Sequence, residues 1–190
     1  NLKAHYNQLY QDAVQKIKLD AYELDPLINS KKDKRFGFTL LLRPNSEIRA
    51  KILQFLGALK MIEPNQYFYQ DADLHVTVMS IISCYQGFAL NQVNVEAYIE
   101  VIKQSIYEID PFNIRFYGLT ASPSCILVQG FLENNALNEI RDNLRTNFKN
   151  TELEQSIDKR YVIQTAHSTI FRLKNKLKGK AQFLNLVEAY

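Results

Sequence analysis

Two short stretches, LHVTVMS with His75 and Thr77, and AHSTIFR with His167 and Thr169, repeat one arrangement: a histidine, one residue, a threonine, then an apolar residue. The chain has only three histidines, so two of them stand in the same context. In an extended strand, residues two apart face the same way. His75 and Thr77 therefore present together, with Val76 and Val78 opposite, and His167 and Thr169 do so against Ser168 and Ile170. Each pair joins an imidazole, which changes charge near neutral pH, to a neutral hydroxyl donor. Four such groups converging across a cleft suit a tetrahedral phosphate. The hydroxyls hold non-bridging oxygens, a neutral imidazole accepts a proton, and an imidazolium gives one to the departing oxygen. Two histidines without a nearby carboxylate or third ligand make a poor zinc set, so neither metal nor cofactor is expected.

A single H-x-T is weak, because lone strand histidines are usually structural and threonine is common in strands. The weight lies in two motifs at equivalent places of one chain. His5, with no hydroxyl following it, is expected at the surface.

The elements that must position these residues follow from periodicity. Leu2, Tyr6, Leu9, Tyr10, Ala13, Val14 and Ile17 recur at helical spacing, and DPLINSKKDK breaks that helix into a solvated loop. RFGFTLLLR reads as a strand and SEIRAKILQFLGALK as a helix with Ser46 as its N-cap. YFYQDADLHVTVMSII reads as a strand, and NVEAYIEVIKQSIYEI as a helix stopped by Asp110-Pro111. FNIRFYGL and CILVQGFL read as paired strands, NNALNEIRDNLRTNF as a helix, KRYVIQTAHSTIFRL as a strand or strand pair, and the C-terminal stretch as a basic loop leading into a helix. The order α β α β α β β α β α, with a strand–helix unit before each histidine strand, points to a duplicated α+β unit in two lobes. Residues 1–34 form a helical extension and loop, and residues 35–190 the bilobal domain.

Composition agrees with a soluble protein of 190 residues and formal charge +3, which suits a phosphate-bearing ligand without demanding one. Six glycines in no phosphate-loop or dinucleotide spacing argue against those folds. Cys84 and Cys125 lack metal or disulfide spacing and are expected as reduced thiols of a cytoplasmic protein. No apolar run is long enough for a membrane span, and a monomer is expected.

Together these residues resemble the two-histidine (2H) phosphoesterase superfamily, in particular its bacterial 2′-5′ RNA ligase and cyclic phosphodiesterase branch. The likeness is carried by HVTV and HSTI, by RFGFTLLLRPNSEIRAKILQFL, by PFNIRFYGLTASPSCILVQGF and by an arginine five residues after the second histidine, Arg172. It spans roughly residues 35 to 175. It implies that His75 and His167 are an acid/base pair and that Thr77 and Thr169 hold the phosphate. The implied reaction opens a 2′,3′-cyclic phosphate, or cuts or joins a 2′-5′ phosphodiester, of a nucleotide or RNA end, without metal. The implied fold is two α+β lobes related by a pseudo-twofold axis, their antiparallel sheets facing a central groove and their helices outside. The helix before residue 35 departs from the family's minimal core, and the chain ends sooner after the second motif than members with further C-terminal strands.

Further substrate-binding candidates are Arg172, Tyr67, Tyr69, Tyr85 and Arg115. Three positions from Thr169, Arg172 faces the phosphate only if the strand ends or bulges after Ile170. Tyr67, Phe68, Tyr69 and Tyr85 could stack a base, although packing is the usual role of aromatics in a chain with 12% of them. Arg115 and Tyr117 alternate with Ile114 and Phe116, facing solvent or groove. The tract RLKNKLKGK is expected as a solvated basic loop, with contact to an RNA backbone as its functional alternative. A phosphate-pocket binding module without turnover, sensing a nucleotide or RNA end, is the alternative function.

Overall fold

In the computed structural model, which describes residues 1–190, the first periodic stretch forms α1 (Leu2–Lys18), with the Asn1 side chain accepting from Lys3 N–H. β1 (Arg35–Leu42) leads into α2 (Ser46–Ile62), whose cap is Asn45 rather than Ser46. Asn45 is still extended and its side-chain oxygen accepts from Ile48 N–H at 3.0 Å, the third amide of the helix; Ser46 is already helical. The strand expected over residues 67–82 is interrupted. β2 (Tyr67–Phe68) is followed by a 3₁₀ turn at Asp71–Asp73, where the polar QDAD has little strand preference, and then by β3 (Val76–Gln86).

α3 (Val95–Ile106) stops before Asp110-Pro111, and β4 (Ile114–Ala121) and β5 (Cys125–Leu132) pair as a hairpin. After α4 (Ala136–Lys149), the stretch expected as a strand or strand pair yields only the short β6 (Ser168–Arg172); α5 (Lys180–Glu188) closes the chain. Residues before Ser168 bond elsewhere: Ser156 N–H to the Ile81 carbonyl, and the carbonyl of Thr165 to Arg141. The class is α+β, five helices on one six-stranded antiparallel sheet in the order β1-β3-β6-β5-β4, with β2 pairing β6. No helix is long and apolar enough to cross a membrane.

Apolar residues gather in two clusters. Ile126, Val128, Ile170 and Phe171 pack with Phe55 and Leu59 of α2 and Phe183 of α5. Val76, Val78, Met79 and Ile81 pack with Tyr98 of α3 and Leu137 and Leu144 of α4. The segment read as an extension is built into this interior. Tyr6, Ala13 and Ile17 of α1 are wholly buried, and Ile17 belongs to the first cluster. Burying a side chain of that kind stabilises by about 1.5–3 kcal/mol. Tyr6 also donates from its hydroxyl to the Gly130 carbonyl at 3.2 Å, and its own carbonyl accepts from Thr120 Oγ1 at 2.8 Å.

Gly130 sets how near the run before His167 comes to β5. A Cβ there would stand 1.9 Å from the Ala166 carbonyl oxygen, a backbone atom that cannot swing aside. Gly130→Ala is therefore expected to destabilise by about 1–3 kcal/mol in urea unfolding and to shift the His167 imidazole resonances.

Candidate active site

β3 and β6 meet at one antiparallel pair, Val76 with Ser168. Continued one residue each way, that register would set His75 opposite Thr169 and Thr77 opposite His167. Directly opposed side chains have Cβ atoms about 4.5–5.5 Å apart and diagonal ones about 7–8 Å. The join brings the two motifs together, and His75 is near enough to be among the charges that lower the His167 imidazole. Burial follows the expected alternation: Val76, Val78, Ser168 and Ile170 are buried, while His75, Thr77, His167 and Thr169 are partly open. Both histidines sit one residue before their strands begin.

Arg172 shares this face. In the β5–β6 ladder Leu127 pairs with Thr169 but Ile126 pairs with Phe171, so Ile170 is an extra, bulged residue. The bulge resets parity, and Arg172 opposite Cys125 comes round to the side of Thr169. Tyr67 pairs directly with Arg172 across β2, and Arg172 Nε donates to the Tyr69 hydroxyl at 3.1 Å. The two tyrosine rings meet edge to face at 5.2 Å, and Tyr69 lies 6.3 Å from the His75 ring. His75, Thr77, His167, Thr169, Arg172, Tyr67 and Tyr69 are thus brought to one region.

Tyr85 and Arg115 are not. Tyr85 lies ten residues beyond His75 along β3, roughly 30 Å of strand, with its hydroxyl donating to Glu154 Oε1 at 3.0 Å. Arg115 is exposed on the edge strand β4, its guanidinium 5.9 Å from the Phe131 ring.

The ring nitrogens are held unequally. His75 Nδ1 is 2.7 Å from the Asp73 carbonyl oxygen. A carbonyl only accepts, so Nδ1 carries a proton and Nε2 is left for a ligand. His167 Nδ1 is 2.6 Å from Thr165 Oγ1, which likewise leaves Nε2 free. Burial, then the neighbouring charges of Arg141, Arg172, His75 and His5, push the His167 imidazole down to about 4, so it is neutral at neutral pH.

Arg141 is the group that sequence inspection passes over. It lies in α4 with 1% exposure. Its Nε donates to the Val78 carbonyl at 3.0 Å, and Nη2 to the carbonyls of Thr77 (3.0 Å) and Thr165 (2.8 Å); Nη1 is buried without a partner. One guanidinium thus ties the first motif to the run just before His167, with no carboxylate to neutralise it. Burial, then Arg145, lowers it to about 10, still charged at neutral pH. The available signal was an arginine on the apolar stripe of α4, among Leu137, Ile140 and Leu144. Thr165 offers no comparable signal, since its value lies in contact with His167.

No family model matches the chain, and no curated protein matches it.

Because the folded His167 value of about 4 lies below the ordinary 6.5, the unfolded chain takes up this proton first as pH falls. Folding stability contributed here is present above about pH 6.5 and is lost as pH drops towards 4. Chemical unfolding across that window should show the slope, and His167→Gln should flatten it. Arg141→Met should raise the His167 titration point seen by NMR and destabilise by at least about 1 kcal/mol, since buried carbonyls lose their donor.

Proposed function

We propose that this chain is a phosphoesterase of the two-histidine type, acting without metal on a 2′,3′-cyclic phosphate or 2′-5′ phosphodiester of a nucleotide or RNA end. The observation that supports it is the Val76–Ser168 join, which brings the two motifs together in a register that, continued one residue each way, would put each imidazole opposite the other motif's threonine. In this proposal β1 and β3 belong to one lobe, β4, β5 and β6 to the other, and the site is the groove along their seam.

His167 is the base. Burial and then two guanidinium groups keep it neutral, and with Nδ1–H donating to Thr165 Oγ1 its Nε2 lone pair faces the substrate. His75 is the acid, because its Nδ1 partner is a carbonyl, which accepts equally well from an imidazolium. Water, its proton passing to His167 Nε2, attacks phosphorus as the bond to one ribose oxygen breaks. The departing oxygen takes the proton from His75 Nε2, giving a phosphomonoester. Thr77 and Thr169 donate to the non-bridging oxygens, and Arg172 adds charge as negative charge builds up. Tyr67 and Tyr69 offer ring faces beside the site for a base.

His75→Ala and His167→Ala are each expected to lower kcat/KM on a 2′,3′-cyclic nucleotide by at least about 100-fold, and Thr77→Val or Thr169→Val by about 100-fold through lost oxyanion donors. Full turnover after loss of either histidine would overturn the mechanism. Tight nucleotide binding by the unaltered chain with no product would favour the binding-module alternative. The base is available wherever His167 is neutral, so kcat/KM of the free enzyme should hold on the acid side down to about pH 4. Thr165→Val, which removes the oxygen that orients His167, should lower kcat about tenfold or more with little change in KM.

A further inference from the structure

β6 leaves the seam as Arg172 and enters the basic tract. There Leu173 and Leu177 turn inward and are buried, while Lys174, Lys176 and Lys178 turn outward. Such a tract is ordinarily a solvated loop, but the backbone here is pinned along its length. Gln66 Oε1 accepts from the amides of Lys174 and Asn175 at 2.9 and 3.1 Å, and its Nε2 donates to the Asn175 carbonyl at 3.0 Å. Glu63 Oε1 accepts from the amides of Lys178 and Gly179 at 2.7 Å each, and Leu177 N–H donates to the Tyr22 hydroxyl at 2.8 Å. Leu173 is tied at both its amide and its carbonyl, to Ser124 and Asp25. Glu63 and Gln66 are 1% and 8% exposed, so two buried polar side chains are committed to fixing this one loop.

The charge it carries is uncompensated outside. Lys180 is paired with Asp20 at 2.6 Å, whereas Lys174, Lys176 and Lys178 have no acidic partner. The carboxylate of Glu63 points inward, its oxygens directed at backbone amides and at Gln66. With Glu63, Asn65, Gln66 and Asn175 the three lysines line an open cavity of about 400 Å³ that no hydrophobic residue borders. Both of its sides continue the candidate site: Gln66 precedes Tyr67, which pairs with Arg172, and Lys174 follows Arg172 by two residues. From Thr169 to Lys174 is about 16 Å of extended chain.

We propose that this loop is a preformed phosphate-binding rail that holds the backbone of a nucleic-acid strand whose terminal phosphate reacts between His75 and His167. It rests on the phosphoesterase function proposed above and narrows the substrate from a nucleotide to a strand extending past its reacting end. Three lysines held apart on a fixed backbone give up less entropy on meeting successive phosphates than the same lysines on a free loop. As compact point charges they read phosphate and not base, so the rail confers affinity without sequence preference.

The test compares two substrates in the full chain: a 2′,3′-cyclic mononucleotide and a short RNA ending in the same cyclic phosphate. The combined variant Lys174→Ser, Lys176→Ser, Lys178→Ser removes three charges, of which that of Lys174 is half-buried and those of Lys176 and Lys178 exposed, and an unchanged melting temperature checks that it folds. It is expected to keep the mononucleotide kcat/KM and to lose about 100-fold on the RNA near 0.1 M salt, with the slope of log K against log salt shallower by about 2. Equal losses on both substrates, or none on the RNA, would overturn the rail. If the unaltered chain turns over neither substrate, the catalytic proposal fails by itself. The rail is then judged by fluorescence anisotropy with the same RNA. Weakened binding and a shallower salt slope in the variant support it, and unchanged binding overturns it.

Discussion

The backbone pair between Val76 and Ser168 is the one point at which β3 and β6 meet, and the relation between the two histidine motifs depends on it. Beyond that pair the strands no longer hydrogen-bond to each other, so carbonyls at the seam need another donor. Arg141 supplies it, from a helix on the buried side, to Thr77, Val78 and Thr165. A guanidinium suits this place because its rigid planar fork spreads five donors over three nitrogens and so spans carbonyls set apart from one another. The cost is a buried cation without a carboxylate.

That cost has a chemical consequence. Burial, with the positive charge of Arg141 beneath the motifs and Arg172 beside them, disfavours a charge on His167 and holds it neutral. His75, one strand over, is tied through Nδ1 to a carbonyl. The two imidazoles, alike in sequence, differ in surroundings. In the proposed reaction that difference assigns His167 as base and His75 as acid.

Much of the architecture was legible from periodicity, because helical and strand spacing are local properties. The helices at α1, α2, α3, α4 and α5 and the strands at β1, β4 and β5 fall where the apolar pattern puts them. The misreadings have specific causes. QDAD breaks a stretch that is otherwise strand-like, Asn45 outcompetes Ser46 for the third amide of α2, and the run before Ser168 gives its polar groups to Arg141 and Thr165 in place of a neighbouring strand. α1, set apart on paper, contributes Tyr6, Ala13 and Ile17 to the interior, since amphipathicity shows that a helix packs but not against what.

The sequence by itself determined that His75 shares a face with Thr77 and His167 with Thr169, since alternation along a strand needs no distant partner. It also determined the bulge condition on which Arg172 depended. Only the tertiary structure decided that the condition is met at Ile170. It likewise decided that the two motif strands join at Val76 and Ser168, that Arg141 bonds the carbonyls of Thr77, Val78 and Thr165, that Tyr85 and Arg115 stand apart, and that a lysine-rich loop is pinned by Glu63 and Gln66. These are settled by registers and contacts between residues far apart in the chain, where local spacing carries no information.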